Sequence, residues 1–193
     1  LAVGLRPISA LVDITNFLTL GYGRPLHAFD ADRIEGDLCV RLAKPGERFE
    51  ALGDRTYELD REMTVICDDR GADALGGVMG GARTGCTDGT MNVFLESALF
   101  DPVRTAATGR KLNLSSDARY RFERGIDPAF QVDGMELATR LVLEICGGEA
   151  SALEIAGAEP ESRPEIAFAP ERVATLGGVH LPAAETKRIL TAL

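Results

Sequence analysis

The order of elements along the chain predicts an α+β fold. An amphipathic helix comes first, a block of six short strand-like runs follows, and two proline-initiated helices come after them. Turn residues punctuate the block at short intervals, as in a β-rich core.

Pro7 to Leu20 reads as the first helix. Ile8, Leu11, Val12, Thr15 and Leu18 recur at helical spacing, Pro7 suits a first turn, and Gly21-Tyr22-Gly23 ends the run. The segment RPLHAFDADRIEGD then reads as a loop. The strand-like runs are 38–43, 48–52, 55–60, 63–69, 73–81 and 90–100, with Gly46 and Gly53-Asp54 among the turns. Asp101-Pro102 has the form of an N-cap and first-turn proline, opening a helix to about Lys111. Asp127-Pro128 repeats the device for a helix that runs to Cys146 and stops at Gly147-Gly148. Residues 151–157 are expected to form a last strand. The polar, proline-containing stretch 158–165 reads as a linker. Residues 166–193 are expected to give a short strand and two short helices, too few for an independent core, as at the start of a second domain.

With 193 residues, the chain is long enough to bury a core without staples. Its net charge of −9 argues against a generally basic nucleic-acid binder, while leaving room for a local basic patch. Cys39, Cys67, Cys86 and Cys146 are widely spaced with no CxxC pair, which fits reduced thiols in a cytoplasmic setting better than a disulfide framework or a zinc site. No apolar run approaches the roughly 18 residues of a membrane span, and no secretory signal pattern is present. The chain opens on Leu1 rather than Met and reads as a piece of something longer.

Three features invite a chemical reading. The run Gly76-Gly77-Val78-Met79-Gly80-Gly81 lacks the ending of a phosphate loop and does not match GxGxxG. A glycine-rich strand end and turn describes it better, and bare backbone at Gly80 and Gly81 is open to close approach by a ligand. His27, in PLHAFD, is one of two histidines; a lone histidine is most often structural. No His/Cys cluster has metal-ligand spacing, and nothing resembles a nucleophile elbow around Ser97.

The third feature is a carboxylate in an apolar run, Glu96 in NVFLESALFDP. Read as a strand, the run places Phe94, Glu96, Ala98 and Phe100 on one face. A buried carboxylate costs several kcal/mol unless paired or neutralised. Glu96 therefore reaches solvent, has a structural partner, or awaits a ligand. Downstream, RKLNLSSDARYRFERGIDP is the densest basic stretch. As a strand it would set Arg119, Arg121 and Glu123 on one face and Tyr120 and Phe122 on the other. It reads either as a solvated edge with ion pairs of little energetic weight or as a local phosphate-facing patch.

Four stretches in this order and spacing, RPISALVDITNFLTLGYGRPLHAFD, LGGVMGG, NVFLESALFDP and SSDARYRFERGIDP, closely resemble the bacterial phenylalanyl-tRNA synthetase beta subunit. The resemblance covers residues 1–157 and falls on its B3/B4 editing domain; residues 166–193 resemble the start of the small helical B5 domain that follows. It implies a layered β/β/α sandwich of mixed sheets with flanking helices. The implied activity is hydrolysis of Tyr-tRNA(Phe), the mischarged product. A pocket made for phenylalanine rejects an added hydroxyl only about 100-fold, whereas a second site that demands the hydroxyl discriminates on the order of 10⁴-fold.

Carried over onto this sequence, the resemblance places the reader of the tyrosine hydroxyl at Glu96. It places His27 by the ester end of the substrate, as general base or as the group that orients water. Arg6 and Thr15 fall in the lining of the cleft, Gly80 at backbone against the ligand, and Ser116 and Ala118 on the wall of the aromatic pocket. Arg119-Tyr120 stands where the family more often has Ser-His, which puts the local tRNA contact in doubt. The resemblance further implies a tRNA(Phe) 3′ end as partner, an alpha subunit completing a heterotetramer, no membrane, and no cofactor for this stretch. ATP and Mg²⁺ would serve the synthetic site of the whole enzyme. The rival expectation is a non-catalytic module that supports architecture or positions tRNA.

Overall fold

The computed structural model describes residues 3–53, 55–157 and 165–193. The chain divides into two compact units, Leu1–Glu159 and Pro160–Leu193. Most of the expected linker, residues 158–164, lies outside the described residues.

In the first unit, helix α1 (Ala10–Gly21) begins later than Pro7. Ser9 caps it, its hydroxyl accepting from the Val12 amide at 3.4 Å, and Pro7 lies outside the first turn. The segment read as a loop holds a strand instead, β1 (His27–Asp30). Strands β2 (Cys39–Leu42), β3 (Arg48–Ala51), β4 (Arg55–Glu58), β5 (Thr64–Cys67) and β8 (Val93–Glu96) fall within the expected runs, while the run 73–81 divides into β6 (Ala72–Leu75), which starts one residue early, and β7 (Met79–Gly80). They form a four-stranded sheet in the order β2-β5-β6-β7, a β3-β4 hairpin, and a two-stranded ribbon of β1 with β8. Every ladder between these strands is antiparallel, so the mixed pairing expected from the resemblance is not what the described residues adopt.

Side-chain alternation builds layers from these pieces. Val65 and Leu75 face the hairpin and pack with Phe49, Leu59, Met63, Val78 and Leu114. Ile66 and Ala74, one residue along in each strand, turn to the other side and pack with Phe29 of the ribbon, Phe100 and Phe122. The β5 strand is thus buried on both faces and reads as a continuous apolar run. The far side of the ribbon presents Leu95 to Ile14 and Leu18 of α1 and to Ala138 of α4 (Gln131–Cys146). The hairpin, sheet, ribbon and helix pair therefore pack in sequence, giving the expected α+β fold with its layered β core and flanking helices.

Residues 80–85 stitch the layers together. The Leu52 amide donates to the Gly80 carbonyl (3.0 Å), the Gly81 amide to the Asp73 carbonyl (2.7 Å) and the Asp30 amide to the Thr84 carbonyl (2.8 Å). Arg83 bridges the buried carboxylates of Asp68 (2.7 Å) and Asp73 (2.5 Å). The glycine-rich run is a turn: Gly77 takes a left-handed φ of 71°, and Gly76 and Gly77 lie bare beneath the rings of Phe100 and Phe122.

Helix α2 (Pro102–Lys111) forms as expected, with Pro102 in its first turn. The Asp101 carboxylate accepts from the Arg104 amide at 2.7 Å. Asp101→Ala is expected to cost about 1 kcal/mol in a urea denaturation, with Asp101→Asn restoring most of it.

Three expectations fail. The basic stretch is not a strand: it contains α3 (Asp117–Phe122), nucleated by Ser116, whose hydroxyl accepts from the Arg119 amide at 3.0 Å. Helix α4 starts at Gln131 because Asp127 closes its own turn onto the Ala129 amide (2.9 Å) rather than capping a helix. Residues 151–157 are exposed and form no strand. In the second unit, α5 (Arg172–Gly177) ends on Gly178 in the left-handed region, α6 (Ala183–Thr191) follows, and the expected short strand is absent among the described residues.

Candidate active site

The ribbon register sets the site. His27 stands directly opposite Glu96, and Phe29 opposite Phe94. Directly opposed residues of an antiparallel pair share a face, so His27 and Glu96 are neighbours on the side turned toward the sheet.

His27 is held from two directions. The Phe29 ring, fully buried, packs edge-on against it with centroids 4.4 Å apart and planes at 89°. On another side it rests on the bare backbone of Gly80, where an added Cβ would come within 2.9 Å of Nε2 and closer still to Cε1. Nε2 is buried and has no hydrogen-bond partner. Burial lowers the His27 pKa to about 4, so the ring is neutral at pH 7. The ordinary value near 6.5 that favours a general base does not apply here; a neutral imidazole of this acidity is better suited to orienting water than to holding its proton.

Glu96 is partly exposed and forms no salt bridge with any described residue. Burial of its carboxyl pushes its pKa up to about 7, against the pull of the Arg24 guanidinium and the Ala98 amide. Its ionisation is thus balanced near neutral pH. The structural ion pair that would explain a carboxylate in an apolar run is not formed.

Arg24 is the residue the sequence reading passed over. It follows the turn after α1 and is only 1% exposed. Its Nη2 donates to the Ala98 carbonyl, while Nε and Nη1 have no partner. Desolvation lowers its pKa, opposed by the nearby charges of Glu96 and Asp127. Gly134 makes room for it: a Cβ there would sit 2.9 Å from Arg24 Cγ. An isolated glycine inside the helical stretch QVDGMELA was the available signal, since such a glycine often marks close packing.

The remaining expected residues divide. Ala118 packs in the cluster of Phe29, Phe100 and Phe122, under the same face of the ribbon. Ser116 uses its hydroxyl structurally, donating to the Val78 carbonyl (2.7 Å) while capping α3, and so fastens α3 to the glycine-rich turn. Thr15 donates to the Val12 carbonyl (2.9 Å) within α1, and Arg6 is exposed ahead of that helix. Neither is hydrogen-bonded to His27 or Glu96. Among the described residues, no group of three or more His, Cys, Asp or Glu side chains is gathered to hold a metal ion. Cys39 and Cys67, distant in sequence, face each other across β2 and β5 with sulfurs 3.1 Å apart, as free thiols. No helix among the described residues is long and apolar enough to cross a membrane.

Residues 1–147 match the model of a protein family described as the B3/4 domain. The chain is 57% identical over 192 residues to the phenylalanine–tRNA ligase beta subunit of Paramagnetospirillum magneticum and 56% identical over 193 residues to that of Rhodospirillum rubrum. In both cases all of this chain is covered but only 24% of the relative, so the chain spans about a quarter of the length of the curated relatives it matches. Among solved structures it resembles an N-terminal fragment of the phenylalanyl-tRNA synthetase beta subunit from Pyrococcus horikoshii. The TM-score is 0.51 at 15% identity, covering 93% of this chain and 54% of that one, a likeness in fold alone.

Proposed function

Because the chain belongs to the B3/4 domain family, we propose that it is the editing module of a phenylalanine–tRNA ligase beta subunit and hydrolyses tyrosine wrongly esterified to tRNA(Phe). The observation that carries this reading is the cross-strand pair itself. A carboxyl without an ion-pair partner, balanced near pH 7, stands beside a neutral imidazole whose buried Nε2 lacks a partner.

The phenol of a misattached tyrosine donates to the Glu96 carboxylate. Phenylalanine leaves that carboxylate unpaired among apolar neighbours, which is the penalty that separates the two. His27 Nε2 accepts a hydrogen bond from the attacking water and fixes its approach to the ester carbonyl. A free ribose hydroxyl of the substrate assists, and the ribose oxygen of the broken ester leaves with a proton. Gly80 lets the imidazole lie close against backbone, Ala118 walls the aromatic pocket, Ser116 holds α3 beneath it, and Arg6 and Thr15 line the outer cleft toward the tRNA.

On the same reading the chain works in the cytoplasm within a heterotetramer with alpha subunits, whose aminoacylation uses ATP and magnesium. Residues 166–193 begin the next, B5-type, domain.

The test is a single-turnover deacylation assay of the full-length protein with its partner subunit. Tyr-tRNA(Phe) is expected to be hydrolysed at least 100-fold faster than Phe-tRNA(Phe), and His27→Ala to slow the tyrosyl reaction by about 10²-fold while leaving tyrosine discrimination in place. Equal, background-level loss of both amino acids would leave the chain a non-catalytic tRNA-positioning module.

A further inference from the structure

We propose that the cleft between the end of α1 and the α3–α4 connection binds one nucleotide of a single-stranded RNA end, phosphate toward Arg121 and Arg124 and base against Tyr22. The inference rests on the editing reading, because the RNA it names is the strand that would carry the ester to His27 and Glu96.

The cleft has a volume of about 300 Å³, within the range of small-ligand sites. Its lining gathers cations on a chain of net charge −9. Arg24, Arg121 and Arg124 line it with one carboxylate, Asp127, while the carboxylates that pair with Arg121 and Arg124, Asp117 and Glu123, lie outside the lining. Asp127 is exposed and accepts from the Ala129 amide (2.9 Å). The two outer guanidinium groups are held in place. Arg121 donates to the Asp117 carbonyl (3.0 Å) and carboxylate (3.3 Å), and Arg124 to the Tyr120 carbonyl (2.8 Å) and the Glu123 carboxylate (2.7 Å). Each keeps further N–H donors for an incoming anion.

Aromatic rings are interleaved with these cations. The Arg124 guanidinium lies 3.7 Å above the Tyr120 ring. Tyr22, half exposed, lies nearly parallel to Phe130, with centroids 6.1 Å apart and planes at 13°. A cationic groove with stacking faces is the composition of a single-strand nucleic-acid site, where sequence matters little because every base has a π face. A second, independent observation concerns Arg24, which lines the cleft. It is almost wholly buried with Nε and Nη1 unpartnered, and buried donors of this kind call for an acceptor. Its third nitrogen bonds the Ala98 carbonyl, two residues beyond Glu96. The nucleotide cleft and the proposed ester site therefore share one side chain.

The experiment uses the full-length protein with its partner subunit and an uncharged RNA hairpin with a four-nucleotide single-stranded 3′ end carrying 4-thiouridine. Crosslinks mapped by mass spectrometry are expected on Tyr22, Tyr120 or Phe130. In fluorescence anisotropy, Arg121→Gln with Arg124→Gln is expected to weaken binding at least tenfold and to lower the salt slope by about 0.7, for the one phosphate that both contact. Tyr22→Ala is expected to weaken it roughly five- to a hundredfold, and Tyr22→Phe to restore it. Crosslinks elsewhere with unchanged binding in all variants overturn the inference. So does equal sensitivity of a blunt hairpin, which would mean a duplex contact, and so does displacement of the RNA by a polyglutamate peptide, which would mean an acidic protein partner. Adenosine monophosphate binding as tightly as the hairpin overturns it in favour of a free-nucleotide site. No ester is cleaved in these measurements. Cleft-dependent binding without tyrosine-selective deacylation thus rejects the editing reading alone, and selective deacylation with cleft-independent binding rejects this inference alone.

Discussion

Glu96→Gln is expected to erase tyrosine selectivity and, at pH 8, to make the protein more stable. The two effects have one cause. The folded protein holds the Glu96 carboxyl at about 7 against an ordinary value of 4.5. A folded pKa above the unfolded one means that the native state binds more protons between those values, so stability falls as pH rises from about 4.5 to about 7 and then levels off. The shift corresponds to at most about 3 kcal/mol, less after allowance for partial exposure of the side chain. Glutamine removes the charge and recovers much of that. His27 runs the other way: lowered from 6.5 to about 4, it makes stability fall as pH drops through that window. Between about pH 4.5 and 6.5 the two slopes oppose each other in the parent protein. In Glu96→Gln the histidine slope stands alone, and stability should climb by as much as about 1.4 kcal/mol per pH unit across that window relative to the parent. Urea denaturation at pH 4.5, 5.5, 6.5 and 8 measures the difference. An unchanged slope would mean that Glu96 is not held as described. On the functional side, only the carboxylate accepts a charge-assisted bond from the phenol. Parent selectivity for the tyrosyl ester should therefore rise from pH 6 to pH 8, and the glutamine variant should lose about 10²-fold or more of it with no such rise.

Much of this site was legible in the sequence because its signals are local. A glutamate flanked by Phe94 and Phe100 declares its own cost, and Asp101-Pro102 carries its cap with it. Part of what failed depended on distance. HAFD reads as loop because four residues carry too little pattern, and its partner strand lies far along the chain. Once paired, it turns two separately unremarkable motifs into one site. Arg119 to Glu123 satisfies strand alternation and a helical turn alike, and the Ser116 cap decides between them. Residues 151–157 have the composition of a strand but no sheet edge to join. Arg24, between Gly23 and Pro25, carries no local sign of burial. Its burial follows from a gap opened by a glycine on another helix. The acidity of His27 belongs to the same class: it is set by Phe29 and Gly80, which surround it only after folding.

Gly80→Ala is the sharpest test of that enclosure. The backbone at Gly80 is not left-handed, so alanine brings no conformational penalty of that kind. Its methyl group would, however, meet His27 Nε2 at 2.9 Å and Leu52 Cδ1 at 3.3 Å. The imidazole has no easy retreat, since Phe29 backs it at 4.4 Å. The backbone is pinned by the pairing of Gly80 with Ala74 and by the Leu52 amide on its carbonyl. Overpacking of this kind costs about 1–3 kcal/mol. Moving the ring by about 1 Å is expected to reduce tyrosyl-ester hydrolysis by about 10²-fold. A merely fragile strand would give the same destabilisation, so the deciding measurement is a double-mutant cycle with His27→Ala. If the clash is with the imidazole, removing the ring relieves it. Gly80→Ala should then cost nearly nothing in stability on the His27→Ala background and should add no further loss of hydrolysis, a coupling of about 1–3 kcal/mol between the two positions. Additive effects would place the strain elsewhere and would remove Gly80 as the surface that fixes His27.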